Sequence, residues 1–414
     1  MLDLKSIRDA PEATLKALER RGDASADRLR EALQLDQQRR ELLPRSEQIK
    51  AEQNKASEQI SAAKSAGEDA TEAIAAMQKL AAEGKQLKDQ LMTVEDQLAT
   101  TMTGVANPPS AAAPDEDEVI RSWGECMSQG RDHVELAGDL LDLETAARVS
   151  GARFAYLKGD LVRLELAIVQ YAIDKLSNSG FLPVIPPVLV REQALFGTGF
   201  LPDTEQQIYR LADDDLYLTG TSEVALASMH SDQILDAADL PIRYAGFSPC
   251  FRREAGTAGK DTQGIFRVHQ FEKVEMFVFC HPEDAAAEHE RILAIEESIM
   301  QDLGLPYRVV NIAVNDLGPS AVQKYDVEAW LPSQQRYREL TSCSNTTDFQ
   351  SRRLNTRARG ENKQIFNTST LNGTATALGR TIIAILENHQ TENGVVELPS
   401  CLQQYGSPST IGEQ

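Results

Sequence analysis

The sequence predicts an α+β protein: a largely antiparallel sheet flanked by helices, preceded by an N-terminal antiparallel two-helix coiled-coil arm. Three observations predict it. After residue 119, strand candidates outnumber helix candidates and several follow hairpin-like spacing. No GxxxxGK[ST] or GxGxxG follows a strand, which argues against a P-loop or doubly wound nucleotide fold. Residues 26–100 contain no aromatic residue and carry an a/d seam.

Residues 1–25 read as a short amphipathic helical stretch. Pro11 suits a helix start and Gly22 a stop. In the arm, about 26–100, the second half has the clearer period: Met77, Leu80, Gly84, Leu87, Leu91, Val94 and Leu98. Leu29, Leu33, Leu42, Ile49, Ala56 and Ile60 form a weaker first half, and Ser65–Asp69 is the turn between them. Each helix is expected to span about 50 Å at 1.5 Å per residue. Pro44 removes a helical hydrogen bond and predicts a bend. The expected domains are 1–108 for the helical hairpin, 109–118 for the core of a Pro/Ala/acid-rich linker that begins near Thr101, and 119–414 for a second domain.

In the second domain, Phe154–Ser179 reads as an amphipathic helix stopped at Gly180, followed by the extended Phe181–Val188. Further strands are expected at Asp215–Thr219, Tyr307–Val314, Tyr325–Leu331 and Tyr337–Thr341, and helices at Glu283–Leu303 and Thr376–Gln390. The centre is a long hairpin, Ile242–Arg253 and Ile265–Cys280, around a loop holding Gly256, Gly259, Lys260, Asp261 and Gly264. By strand parity Arg252 and Glu254 share a face, as do Phe271, Lys273 and Glu275. Charges on the inner face of an apolar sheet cost several kcal/mol unless paired or met by a ligand.

The net charge of -21 excludes nucleic-acid binding by bulk charge, so any RNA contact needs a local basic surface. The first arm helix carries Arg28, Arg30, Arg39, Arg40, Arg45, Lys50, Lys55 and Lys64, so it is near neutral in a strongly acidic chain, which favours RNA contact there. The five cysteines include no CxxC pair, which argues against a disulfide framework or a Cys-rich zinc site and fits a reducing, cytoplasmic setting. No apolar run approaches a membrane span, and neither membrane nor DNA is an expected partner.

Five further features carry chemistry. Thr221-Ser222-Glu223 follows a strand and reads first as a helix N-cap. Phe251-Arg252-Arg253-Glu254 and His269-Gln270-Phe271-Glu272-Lys273-Val274-Glu275 flank the hairpin loop. Glu339-Leu340-Thr341-Ser342-Cys343-Ser344-Asn345 reads as a strand ending in a polar turn. Its Glu339 and Ser342 lie three apart, so they converge only if the strand bulges or ends there. Asn372-Gly373-Thr374 to Gly379-Arg380 reads as a glycine-containing loop that caps a core helix, Thr381–Asn388.

Taken in order, these stretches resemble the motifs of class II aminoacyl-tRNA synthetases. The N-terminal hairpin makes the chain similar to the seryl-tRNA synthetases rather than their threonyl and prolyl relatives. The resemblance spans nearly the whole chain. It implies a class II catalytic domain over 119–414, a tRNA-binding hairpin over 1–108, and ATP with Mg²⁺ as the cofactors of serine activation. It assigns the substrate amino group to Thr221 and Glu223, and the serine carboxylate and α-phosphate to Arg252. Adenine falls to Glu254 and Phe271, and the serine hydroxyl and amino group to Glu275. Asn372 and Thr374 line the side-chain pocket. Glu339 and Ser342 hold Mg²⁺ and the phosphates, with Arg253, Leu340 and Thr341 in the ATP site, and Arg380 reaches the γ-phosphate. Catalysis thus falls to Arg252, Glu254 and Arg380. Ala375 and Thr341 depart from the family pattern, where glycine and serine are commoner.

The helix and Pro-containing strand near Phe181–Val188 match motif 1, which implies a homodimer. The partners implied are L-serine and tRNA-Ser, read by its shape; charging of tRNA-Sec is left open. Two rival readings are a serine-activating paralogue with a carrier-protein acceptor and a non-catalytic RNA-binding coiled-coil protein. The first is expected to lack the arm. The second is expected to have lost one of Arg252, Glu254, Glu275, Glu339 or Arg380, all of which are present.

Overall fold

The computed structural model describes residues 2–202, 207–255 and 264–412. The chain divides into two compact units, residues 1–106 and 107–414. Gly256, Gly259, Lys260 and Asp261 lie outside the described residues.

In the first unit, two short helices, Leu4–Asp9 and Pro11–Glu19, precede the arm. Pro11 occupies the first turn, where its missing N–H costs nothing. The arm helices are Asp23–Ala66 and Thr71–Thr103, of 44 and 33 residues. They are therefore about 66 and 50 Å long. Gly67, left-handed at φ 73, ends the first, and Asp69 starts the second by accepting from the Thr71 N–H at 2.9 Å. The first helix runs unbroken through Pro44. Leu29, Ile49, Val94, Leu98 and Met102 are buried, whereas Ile60, Met77, Leu80 and Leu87 are half-buried. Two helices give each seam residue one partner, so the outer part of the seam stays partly wet. Gly84 belongs to the seam because a Cβ there would meet Gln53 and Ile49 of the facing helix.

The second unit is built on an eight-stranded sheet: β1 (Glu118–Trp123), β2 (Leu182–Val184), β3 (Ile242–Phe251), β4 (Gln270–Cys280), β5 (Tyr307–Asn311), β6 (Gln323–Leu331), β7 (Arg336–Thr347) and β8 (Ser369–Ala377). Its order is β1-β5-β6-β7-β8-β4-β3-β2. All pairs are antiparallel except β2 with β3. Helices Asp160–Asn178, Ala285–Asp302 and Leu378–Asn388 pack Leu164, Ile168, Ile292, Ile299, Ile382 and Ile385 into one core with Val274, Met276 and Val278 of β4.

Four expectations need correction. Residues read as linker are packed from Asn107 onward. The Asn107 side chain donates to the Ser320 and Thr346 carbonyls, and Ala113 is buried beside Val310 and Ile312. Alanine and proline composition resembles a linker, but their small apolar surfaces also suit a groove. Thr370–Ala377 is not a loop but a central strand, and its Asn-Gly pair hid the strand period. The helix of Phe154–Ser179 begins only at Asp160; Tyr156–Leu157 pairs with Leu141–Asp142. The hairpin's return strand begins at Gln270 rather than Ile265, so Ile265, Phe266 and Val268 are buried outside the sheet.

Candidate active site

One cavity opens on the sheet over β4, β7 and β8 and collects residues from every stretch singled out above. Parity works where the strand is regular. Phe271, Lys273 and Glu275 alternate along β4 and all line the cavity. It does not apply to Arg252 and Glu254, because β3 ends at Phe251 and Glu254 is left-handed at φ 49. Both nevertheless reach the cavity, while Arg253 is exposed and is not among its lining residues. Where the chain leaves the sheet, neighbouring side chains diverge, and Arg253 is carried outward.

Glu275 is fully buried. It accepts from Asn372 Nδ2 at 3.3 Å and Thr374 Oγ1 at 3.2 Å, and it forms a close ion pair with Lys273 Nζ. Lys273 also donates to Thr221 Oγ1 at 2.7 Å. The Thr221 hydroxyl in turn accepts the Glu223 N–H at 3.3 Å, so Thr221-Ser222-Glu223 is a helix-opening turn rather than an extended run. Glu223, also buried, accepts from Gln350 Nε2 at 2.8 Å. Burial, aided by the charge of Glu275, pushes the Glu223 carboxyl up to about 7. The result is a pocket wall with two carboxyls, one ammonium and three polar side chains, Thr221, Asn372 and Thr374. That set fits a small zwitterion with a hydroxyl.

The neighbouring end is cationic. Arg252 donates from Nε to the Gly220 carbonyl at 3.3 Å and lies over the Phe271 ring, 5.2 Å from its centroid. Arg380, third residue of its helix, donates to the Glu339 carboxylate at 3.3 Å and covers Phe266 at 4.7 Å. Arg338 lies on the same ring at 3.8 Å. Arg267 pairs with Glu254 at 2.8 Å. Burial raises the Glu339 carboxyl, but the charges of Lys324, Arg380 and Arg252 outweigh it and hold the group below its ordinary value.

Two strand irregularities shape this end. On β7, Val327 pairs with Thr341 and Glu328 with Glu339, so Leu340 is an extra residue, a β-bulge. The bulge puts Glu339 on the same face as Ser342, and both line the cavity with Leu340 and Thr341. On β8, Val274 pairs with Thr376 and Glu275 with Thr374, so Ala375 is the bulged residue. Ala375 is fully buried and is not among the residues with positive φ, so this backbone accepts alanine where the family commonly has glycine.

Sequence reasoning did not assign roles to Lys273, Arg267, Phe266 or Gln350. Lys273 had a signal, since parity placed it between Phe271 and Glu275. Arg267 and Phe266 lie in irregular chain, and Gln350 arrives from a helix, Phe349–Leu354, distant in sequence. Among the described residues no group of three or more His, Cys, Asp or Glu could hold a metal. Glu339 and Ser342 offer oxygen donors of the kind that suit a hard cation shared with substrate phosphates.

Comparison with known proteins follows the same division. Residues 1–109 match the family model described as seryl-tRNA synthetase N-terminal domain, and residues 207–389 match the tRNA synthetase class II core domain (G, H, P, S and T). A serine–tRNA ligase from Leifsonia xyli subsp. xyli is 47% identical over 415 residues, covering 98% of this chain and 97% of that protein. The crystal structure of seryl-tRNA synthetase from Pyrococcus horikoshii complexed with ATP superposes with a TM-score of 0.95 at 39% identity, covering 100% of both chains. A cytoplasmic serine–tRNA ligase from Naegleria fowleri in complex with AMP superposes at 0.87 with 31% identity, covering 98% of this chain and 96% of that one.

Proposed function

The chain belongs to the seryl-tRNA synthetases, and from that premise we propose how its residues divide the work of a serine–tRNA ligase. The reaction has two steps. A serine carboxylate oxygen attacks the α-phosphorus of ATP, the bond to the β-phosphate breaks, and pyrophosphate leaves seryl-adenylate. A hydroxyl of the terminal tRNA ribose then attacks the seryl carbonyl, and AMP leaves. This reading displaces both the carrier-protein and the non-catalytic alternatives.

The observation that carries the residue assignment is Glu275, a fully buried acceptor facing the cavity with Lys273, Asn372 and Thr374 around it. It takes the serine hydroxyl and helps hold the ammonium with Glu223 and Thr221. An amino acid lacking the hydroxyl leaves buried polar groups unpaired, which is how such a pocket rejects alanine and glycine. Arg252 neutralises the serine carboxylate and α-phosphate as two anions approach. Phe271 and Glu254 take adenine, while Arg380 and the Glu254-paired Arg267 take the outer phosphates. Glu339 and Ser342 would hold Mg²⁺, which would supply charge neutralisation on the phosphates.

The first unit is assigned to tRNA. Several of its basic side chains are already paired within the arm, including Arg39 with Glu95 and Arg45 with Glu83. Lys50, Lys55 and Lys64 show no such pair among the described residues and are the phosphate-facing candidates. A homodimer is supported by the exposed apolar residues Leu166 on the motif 1 helix, Leu182 on the strand and Ile185 just after it, 59%, 61% and 83% exposed. No described helix is long and apolar enough to cross a membrane. The five free cysteines suit a reducing compartment, and the cytoplasm is the proposed location.

ATP–pyrophosphate exchange with serine, threonine, alanine and glycine, without tRNA, tests the assignment. Exchange is expected with serine, and Glu275→Ala is expected to lower it on the order of 100-fold. Undiminished serine exchange in that variant would show that the pocket has been placed wrongly.

A further inference from the structure

Behind the cavity, on helix Ala285–Asp302, Glu296 is fully buried and takes part in no ion pair among the described residues. Its Oε2 accepts from Thr341 Oγ1 at 2.8 Å, and its Oε1 has no hydrogen-bond partner. Thr341 follows directly on the Leu340 bulge and is itself 1% exposed. Strand alternation explains the geometry. Thr341 sends its hydroxyl to the helix side, and Ser342 lies on the cavity side. Without the extra residue, Glu339 would share the face of Thr341 and point away from Ser342.

We infer that Glu296 is a positioning residue for ATP: from behind the sheet it pins the Leu340 bulge, and through the bulge it holds Glu339 and Ser342 on one face. The inference rests on the roles proposed above for Glu339 and Ser342. The interaction is tied to the facing strand as well. Gly373 of β8 leaves the space that Glu296 Oε1, Ile292 and the Cys343 Cβ occupy. Burial without an ion pair favours the neutral acid of a carboxyl. Burial holds Glu296 well above the carboxylate range; the Thr341 hydrogen bond and the Lys273 charge oppose this, and the charges of Glu275 and Asp326 add to it. Glutamine can therefore replace it, and leucine, which fills the space without an acceptor, cannot.

The test is steady-state ATP–pyrophosphate exchange on Glu296→Gln, Glu296→Leu and Thr341→Val. It is paired with the affinity for a seryl-sulfamoyl adenosine, which lacks the β- and γ-phosphates. Glu296→Leu and Thr341→Val are expected to raise the KM for ATP about ten-fold, with the serine KM and analogue affinity unchanged within about two-fold. Glu296→Gln is expected to keep the wild-type KM for ATP. The inference is overturned if the two KM values rise together, if analogue affinity falls in step, or if Glu296→Gln behaves like Glu296→Leu. Should Glu296→Leu fail to fold, Glu296→Met, which also removes the acceptor at similar volume, takes its place with the same expected outcome. Glu339→Gln is the control: an unchanged KM for ATP in that variant refutes the Glu339 assignment whatever the Glu296 variants do.

Discussion

Glu223 and Glu275 are buried carboxyls that share one cavity with Lys273 and Arg252, and the burial of Glu223 has consequences for pH. Unfolded, Glu223 ionises near its ordinary value of 4.5; folded, it does so at about 7. Between those values the folded chain keeps a proton that the unfolded chain has released. Raising the pH through this window therefore removes stability, on the order of 3 kcal/mol, and the loss is complete above about 7. Denaturant unfolding from pH 4 to 8 on wild type and Glu223→Gln measures this, and the difference between the two is expected to flatten above 7. Binding runs in the opposite direction. Only the carboxylate attracts the serine ammonium, so kcat/KM for serine is expected to rise with pH up to about 7 and then level. Glu223→Gln should abolish that inflection. An inflection that survives in the variant assigns it to another group. Lys273 and Glu275 are a different case: each supplies the other's charge, and removing either leaves a buried ion uncompensated, a loss of about 3–5 kcal/mol in general.

At the scale of elements, the site depends on the register of β4, β7 and β8. A bulge at Leu340 and another at Ala375 change which side chains face the cavity, and neither can be read from the alternation of one strand. Glycine matters here through close approach rather than backbone freedom. A Cβ on Gly373 would run into Ile292, Glu296 and Cys343 where the helix packs on the sheet. Gly373→Ala is expected to cost about 1–3 kcal/mol by overpacking, read as a lower denaturation midpoint at constant m-value. A midpoint unchanged from wild type would mean that the helix yields easily there. The order of helix and strand, the arm's seam and the turn at Ser65–Asp69 were all legible in the sequence, because each depends on local period and local turn chemistry. The strand Ser369–Ala377 was not, because polar and small residues filled it and pairing with both neighbours made it a strand.

At the scale of the molecule, the two units give separable predictions. Replacing Lys50, Lys55 and Lys64 together by alanine is expected to raise the KM for tRNA. The salt dependence of tRNA binding should flatten by about one unit of slope for each phosphate no longer neutralised. ATP–pyrophosphate exchange should stay unchanged, and a fall in exchange would show that the arm acts on serine activation as well. For the proposed homodimer, Ile185→Asp at an exposed apolar residue is expected to shift the sedimenting species from dimer to monomer. A variant that still sediments as a dimer would place the interface elsewhere.

The sequence by itself determined the arm and the residues that alternate onto the cavity face of β4. These follow from periods of the backbone that a few consecutive residues establish. The tertiary structure alone decided that Glu275 meets Asn372 and Thr374, that Gln350 reaches Glu223, and that Arg267 pairs with Glu254. It also turned Arg253 outward and set Glu296 beneath the Leu340 bulge. The physical reason is the same in each case. A buried charge or a bulge is specified by the partner packed against it, and that partner comes from a different part of the chain, brought near only when the sheet and its helices close on a common core.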